Sequence, residues 1–163
     1  MENEDLELLG DEDSEVEELK TIDRYFDQYL KDNPANVKFI EYNLEQSIRG
    51  QNVPTIQLVN KFILKALQEN ATEIRIIPLK SGILVRFNQG SGFYKSFETE
   101  LPLNLIEPIA NIIRLNAGME KLARNKPVVG KMLLIYHEKR KEVVIHTLPS
   151  TYGTSLSLSL KDV

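Results

Sequence analysis

Between residues 56 and 88 the apolar side chains change from a helical spacing to a strand spacing, and no other feature of the chain limits its possible folds as sharply. Ile56, Val59, Phe62, Ile63, Ala66 and Leu67 line one face of a helix ending near Asn70, because positions three and four apart share a side of a 3.6-residue turn. Glu73 to Pro78 and Gly82 to Asn88 then read as two short strands rich in isoleucine and valine, with Lys80-Ser81-Gly82 as the hairpin turn. Phe93 to Phe97 continues as a third strand after the Gln89-Gly90-Ser91-Gly92 turn, and Pro102 breaks it.

A second helix follows, carrying Leu105, Ile109, Ile112, Ile113 and Asn116, with Gly118 as its stop. Asn104 and Glu107 have the spacing of a capping box at its start, with Pro108 in the first turn. Lys131 to His137 and Glu142 to Leu148 predict two strands flanking the charged hairpin Glu138-Lys139-Arg140-Lys141. Thr154 to Leu160 reads TSLSLSL, which sets leucines on a core and hydroxyls in water. The order predicts an α+β fold: a mostly antiparallel sheet of about six strands with two main helices packed on it, over residues 53–163.

A helical N-terminal segment, 21–50, is expected ahead of that body. Ile22, Tyr25, Phe26, Tyr29 and Leu30 make an amphipathic face that Asp32-Asn33-Pro34 ends. A weaker helix is expected over about 36–48, on Val37, Ile40, Tyr42, Leu44 and Ile48, followed by a linker at 49–52. Residues 1–20 hold ten acids against Lys20 alone, so that stretch carries −9 and the remainder +5 of the net −4. Composition predicts a disordered acidic tail over 1–20, either solubilising or seeking a basic surface, the chain's own body being one candidate.

Several chemistries are excluded or weak. The chain has no cysteine, so disulfides, thiolate zinc sites and cysteine nucleophiles are absent. No apolar run approaches the roughly 18 residues that span a bilayer, and the acidic start lacks the pattern of a secretory signal. A cytoplasmic address without membrane insertion is expected. His137 and His146 are the only histidines, and two ligands without nearby carboxylates make a poor metal site. No metal or other cofactor is expected. Glu73 beside Arg75 reads as an exposed strand pair. Gly90-Ser91-Gly92 offers backbone N–H groups to an anion, although such a turn is usually only a turn. Lys121, Arg124, Lys126 and Lys131, with Lys139, Arg140 and Lys141, form two basic clusters. Aromatic residues do not interleave them as single-strand stacking requires, so a protein with an acidic face fits better than nucleic acid.

Four segments, in order over about residues 53–160, resemble the PAS-like domain that precedes the motor in type II secretion and type IV pilus assembly ATPases. Asn70 to Pro78 is similar to the family's A-S-D-I-H-I-E-P segment, and Val85-Arg86-Phe87-Asn88-Gln89-Gly90 to its V-R-Y-R-x-D-G strand and turn. Ala117-Gly118-Met119-Glu120 through Arg124, Pro127 and Gly130 resembles A-G-L-D-x-A-E-R-R-x-P-Q-D-G-R, and His146 to Gly153 resembles R-V-S-T-L-P-T-x-x-G-E. The resemblance implies arginines that reach nucleotide phosphates bound to the motor. Here the corresponding positions are Asn88, Val144 and Ser159, whereas Arg86 and Arg124 are kept. A G-x-x-x-x-G-K-S/T phosphate loop is absent and the sequence stops at Val163.

These departures imply a degenerate, stand-alone, non-catalytic relative. Its expected role is accessory or regulatory binding of a protein partner, such as a pilus-assembly or secretion ATPase. Arg86, Arg124, Lys126, Lys131, Lys139, Arg140 and Lys141 are the candidate contact residues. The alternative is a small-molecule sensor with Phe87, Phe93, Tyr94 and Phe97 lining a pocket, as the PAS-like resemblance implies. The oligomeric state is left open.

Overall fold

The switch at residue 70 is a helix-to-hairpin transition in the computed structural model, which describes residues 2–29, 39–90, 92–95, 101–119 and 126–163. Helix α1 (Glu2–Tyr29) comes first, followed by strand β1 (Phe39–Asn43), helix α2 (Leu44–Gly50) and helix α3 (Pro54–Gln68). Strands β2 (Glu73–Leu79), β3 (Gly82–Asn88) and β4 (Phe93–Lys95) form a meander, and helix α4 (Ile106–Asn116) follows a 3-10 turn at Leu103–Leu105. Strands β5 (Val128–Tyr136), β6 (Lys139–Ser150) and β7 (Gly153–Asp162) complete the chain. All seven strands join one sheet in the order β1-β5-β6-β7-β2-β3-β4, antiparallel except where β1 runs parallel to β5.

The α+β class, the antiparallel sheet and its two main helices are as the sequence reads. A strand's side chains alternate between faces, so the sheet has two unlike sides. Ile74, Ile76, Val85, Phe87, Ile145 and Leu158 project toward α3 and α4, where Phe62, Ile63, Ile109 and Ile113 complete the main core. On the other side Ile22 and Phe26 of α1 meet Ile77 and Leu79 in a second, smaller cluster. The hydroxyl face of β7, expected in water, is buried: Ser155 and Ser157 are 0% exposed and Ser159 7%. Period two separates two faces but does not say which of them is wet.

Four local expectations change. The weak helix over 36–48 is strand β1 followed by α2, because Ile40, Tyr42 and Leu44 also fit period two and β1 pairs with β5 from Phe39↔Lys131 to Asn43↔Ile135. Asn43 then caps α2, its side chain accepting from Gln46 N at 3.0 Å. The charged hairpin 138–141 is tighter than read, with Tyr136 opposite Lys139 and His137-Glu138 between them. His137 takes a left-handed φ of 54° there, so Lys139, Arg140 and Lys141 belong to β6. The capping box does not form, since no side chain caps α4. Glu107 Oε1 instead accepts from Thr154 N at 3.1 Å, tying α4 to the β6–β7 turn. Pro108 is harmless at the third helical position, where an N–H would have no partner within the helix. The acidic stretch, expected as a disordered tail, continues α1 from Glu2.

Gly118 ends α4 as read, at a left-handed φ of 61°, with Met119 N bonded to Arg114 O at 2.9 Å. A Cβ there would stand 1.9 Å from Ile40 Cδ1. Gly118→Ala is expected to destabilise by about 1–2 kcal/mol from backbone strain alone, measured by urea denaturation. The same change at Gly50, where nothing lies within 4 Å, is expected to be far milder.

Candidate functional site beneath the first helix

Two arginines that the strand register sets side by side dominate the α1 face of the sheet. Arg75 on β2 and Arg86 on β3 are Cα partners, a like-charge pairing that destabilises a sheet unless an anion intervenes. α1 supplies it. Asp23 Oδ1 accepts from Arg75 Nη1 at 2.9 Å and from Arg86 Nη2 at 2.5 Å. One turn on, Asp27 Oδ1 accepts from Arg75 Nη2 at 2.6 Å. Glu73, on the same face of β2, takes Arg75 Nε on Oε2 at 2.5 Å, and the same oxygen accepts from Ser157 Oγ at 2.7 Å. The Phe26 ring lies 5.6 Å from the Arg75 guanidinium carbon, within cation–π range.

Arg75 is therefore a buried cation, 1% exposed, held by three carboxylates, and Glu73 is buried with it. The reading of these two as an exposed strand pair is corrected. Burial alone would lower the Arg75 pKa, yet its hydrogen bonds to Glu73, Asp27 and Asp23 hold it above the ordinary value. α1 reaches the sheet rim as well: Glu15 accepts from Ser81 Oγ at 3.0 Å and Glu18 from Thr151 N at 3.1 Å. Part of the acidic stretch thus lies on the chain's own body.

Among the described residues the candidate contact side chains do not gather into one patch. Arg86 is occupied by Asp23 and stands three strands from β6 in the sheet order. Lys131 is largely covered and pairs with Glu142 at 3.3 Å. Lys139, Arg140 and Lys141 do come together, with Leu67, Asn70 and Asp162, around a groove of about 300 Å³. Within it Lys141 is bonded to Asp162, while Lys139 and Arg140 are exposed. Lys126 is exposed ahead of β5, and Lys121 and Arg124 lie outside the described residues.

The two histidines are apart. His137 occupies the β5–β6 turn with Nδ1 3.1 Å from Glu45 Oε2, and His146 is buried between Val129 and Ser157 in the sheet register. Among the described residues no group of three or more His, Cys, Asp or Glu is placed to hold a metal. At the glycine turn Asn88 Oδ1 already accepts from Gly90 N at 2.7 Å and Gly92 N at 3.3 Å, and Ser91 lies outside the described residues. Of the aromatic residues proposed to line a pocket, Phe87 is 0% exposed within the main core. Phe93 and Tyr94 belong to β4, and Phe97 lies outside the described residues.

A neutral polar network ties α2 and β1 to α3. Tyr42 Oη bonds to Asn60 Oδ1 and, at 2.8 Å, to Ser47 Oγ, which Asn60 Nδ2 also reaches at 2.9 Å. Burial raises the Tyr42 phenol above its usual 10.0, against the lowering effect of its bonds to Ser47, Asn60 and Asn116. The folded chain holds this proton more tightly than the unfolded one. The associated stability is complete below pH 10.0 and is lost as pH rises through the folded value. The stability difference between the parent and Tyr42→Phe is expected to be flat below that point and to shrink above it, as read by urea titrations across alkaline pH.

No protein-family model matches the chain. It is 28% identical over 113 residues to the type II secretion system protein E of Xanthomonas campestris, covering 69% of this chain and 20% of that protein. It is 22% identical over 119 residues to the type IV pilus assembly ATPase PilB of Pseudomonas aeruginosa, with 72% and 21% covered. For the type II secretion system protein E of Klebsiella pneumoniae the identity is 25% over 111 residues, with 68% and 22% covered. The similarity falls in the N-terminal regions of these proteins, and the chain spans about a fifth of their length. Among solved structures the Legionella pneumophila ATPase DotB aligns over 78% of this chain and 33% of its own, at a TM-score of 0.48 and 12% identity. No helix among the described residues is long and apolar enough to cross a membrane.

Proposed function

We propose that the chain is a non-catalytic accessory module that binds a protein partner in a type II secretion or type IV pilus machine, the partner being an ATPase of that machine. The observation that carries this reading is similarity to the N-terminal regions of those ATPases at positions stripped of charge. Val144 and Ser159, where the resemblance implies family arginines, are Cα partners in the sheet and are both buried. Asn88, where the resemblance implies a third, spends its side chain on the Gly90 and Gly92 amides. The scaffold is kept while those side chains serve packing and turn geometry.

The exposed basic edge at Lys139 and Arg140 supplies a surface for an acidic face of the partner, where steering depends on salt. Affinity purification of the tagged full chain from its own organism, followed by mass spectrometry, tests the reading. Recovery of a pilus or secretion ATPase is expected, with loss of recovery in Lys139→Glu/Arg140→Glu. Absence of any such ATPase from repeated purifications would reject it.

A further inference from the structure

We propose that the sheet face under α1 is a binding site for an acidic amphipathic helix of another protein, and that α1 is its resident, displaceable occupant. The recognition elements are fixed on the sheet. Arg75 and Arg86 present two guanidiniums to one carboxylate oxygen of Asp23. Arg75 Nη2 takes Asp27 four residues on, and Ile77 and Leu79 receive Ile22 and Phe26. A matching helix therefore carries acids at i and i+4, each preceded by an apolar residue. Such spacing sets two parallel stripes on one helical face.

Three observations make α1 replaceable. Among the described residues its buried side chains, Ile22 and Phe26, belong to the small cluster and none belongs to the main core, so its departure leaves α3 and α4 on the sheet. When it leaves, Glu73 stays on Arg75, held by Ser157, so the buried cation keeps a carboxylate. The acid end of the contact is also open to solvent, with Asp27 68% exposed against 1% for Arg75. Charge selects the incoming helix, because an occupant without acids would leave two adjacent guanidiniums without the Asp23 carboxylate between them.

The probe is a fluorescent peptide of residues 14–29, which carries the required stripes, titrated into the full chain and into its Asp23→Asn/Asp27→Asn variant. Binding to the variant is expected to be roughly tenfold or more tighter than to the parent, since the resident helix there has lost its charged hydrogen bonds. It is expected to weaken as salt rises, and a peptide with both aspartates replaced by lysine should not bind. Hydrogen exchange on the unmodified chain gives a second readout that needs no variant: excess peptide should lower amide protection in α1 while α3 and α4 stay protected. Failure of the peptide to bind either chain, with α1 protection unchanged, overturns the proposal. A concentration-dependent dimer with exchanged α1 helices would overturn it in favour of a second copy as the occupant. None of these readouts involves an ATPase, so they stand or fall separately from the proposed function.

Discussion

Arg75→Met is expected to destabilise the folded chain by about 3–5 kcal/mol in equilibrium denaturation, the range for removing one member of a buried ion pair. The methionine fills much of the space, so lost volume is a minor part of the effect. The larger part is electrostatic. Glu73, only 6% exposed, would lose its cationic partner while retaining the hydrogen bond from Ser157, and Asp23 and Asp27 would face a sheet with one cation fewer. Adding Glu73→Gln to Arg75→Met should recover part of the loss, because it removes the carboxyl left buried without a cation. Arg75→Lys should fall between, since an ammonium lacks the planar fork that serves three carboxylates at once. A loss below about 1 kcal/mol for Arg75→Met, the scale of a surface ion pair, would mean that α1 does not seal this face.

Phe62→Ala and Phe26→Ala are the same chemical change at two fully buried rings, and they are expected to fail differently. Phe62 belongs to the main core between α3 and the sheet. Its truncation should lower global stability by about 3–5 kcal/mol through lost burial and a residual cavity. Phe26 belongs to the small cluster that holds α1, and the Arg75 guanidinium lies over it. Its truncation should release the helix locally, lowering amide protection across residues 15–29 while the amides of α3 and α4 keep theirs. Hydrogen exchange read residue by residue separates the two outcomes. Equal loss of protection throughout the molecule in Phe26→Ala would show that the two clusters unfold as one.

What the sequence disclosed and what it hid divide along physical lines. The β2–β3 hairpin and the α3 and α4 faces were legible because a single period dominates each and the turns carry Gly or a tight pair. β1 was hidden because Ile40, Tyr42 and Leu44 satisfy a helix and a strand alike, and a parallel edge strand leaves no hairpin signal. The cluster under α1 was hidden for a different reason. Arg75 and the serines of β7 alternate with apolar residues as a solvated face does, and only the helix that lies over the arginine makes its site an interior. Asp23 and Asp27 held the available clue, since acids directly after Ile22 and Phe26 border an apolar stripe where a purely solvated pattern would place them opposite. The denser charge of residues 1–20 obscured them. The candidate contact residues were recognised by charge alone, and charge does not distinguish the exposed Arg140 from an Arg86 already bound to Asp23.

Calorimetric titration of the purified full chain into a purified type II secretion or type IV pilus ATPase from the same organism tests the proposed role most directly. Saturable binding is expected, weakened by salt and by Lys139→Glu/Arg140→Glu. No heat of binding at any ratio, with an ATPase that still hydrolyses ATP, would contradict it.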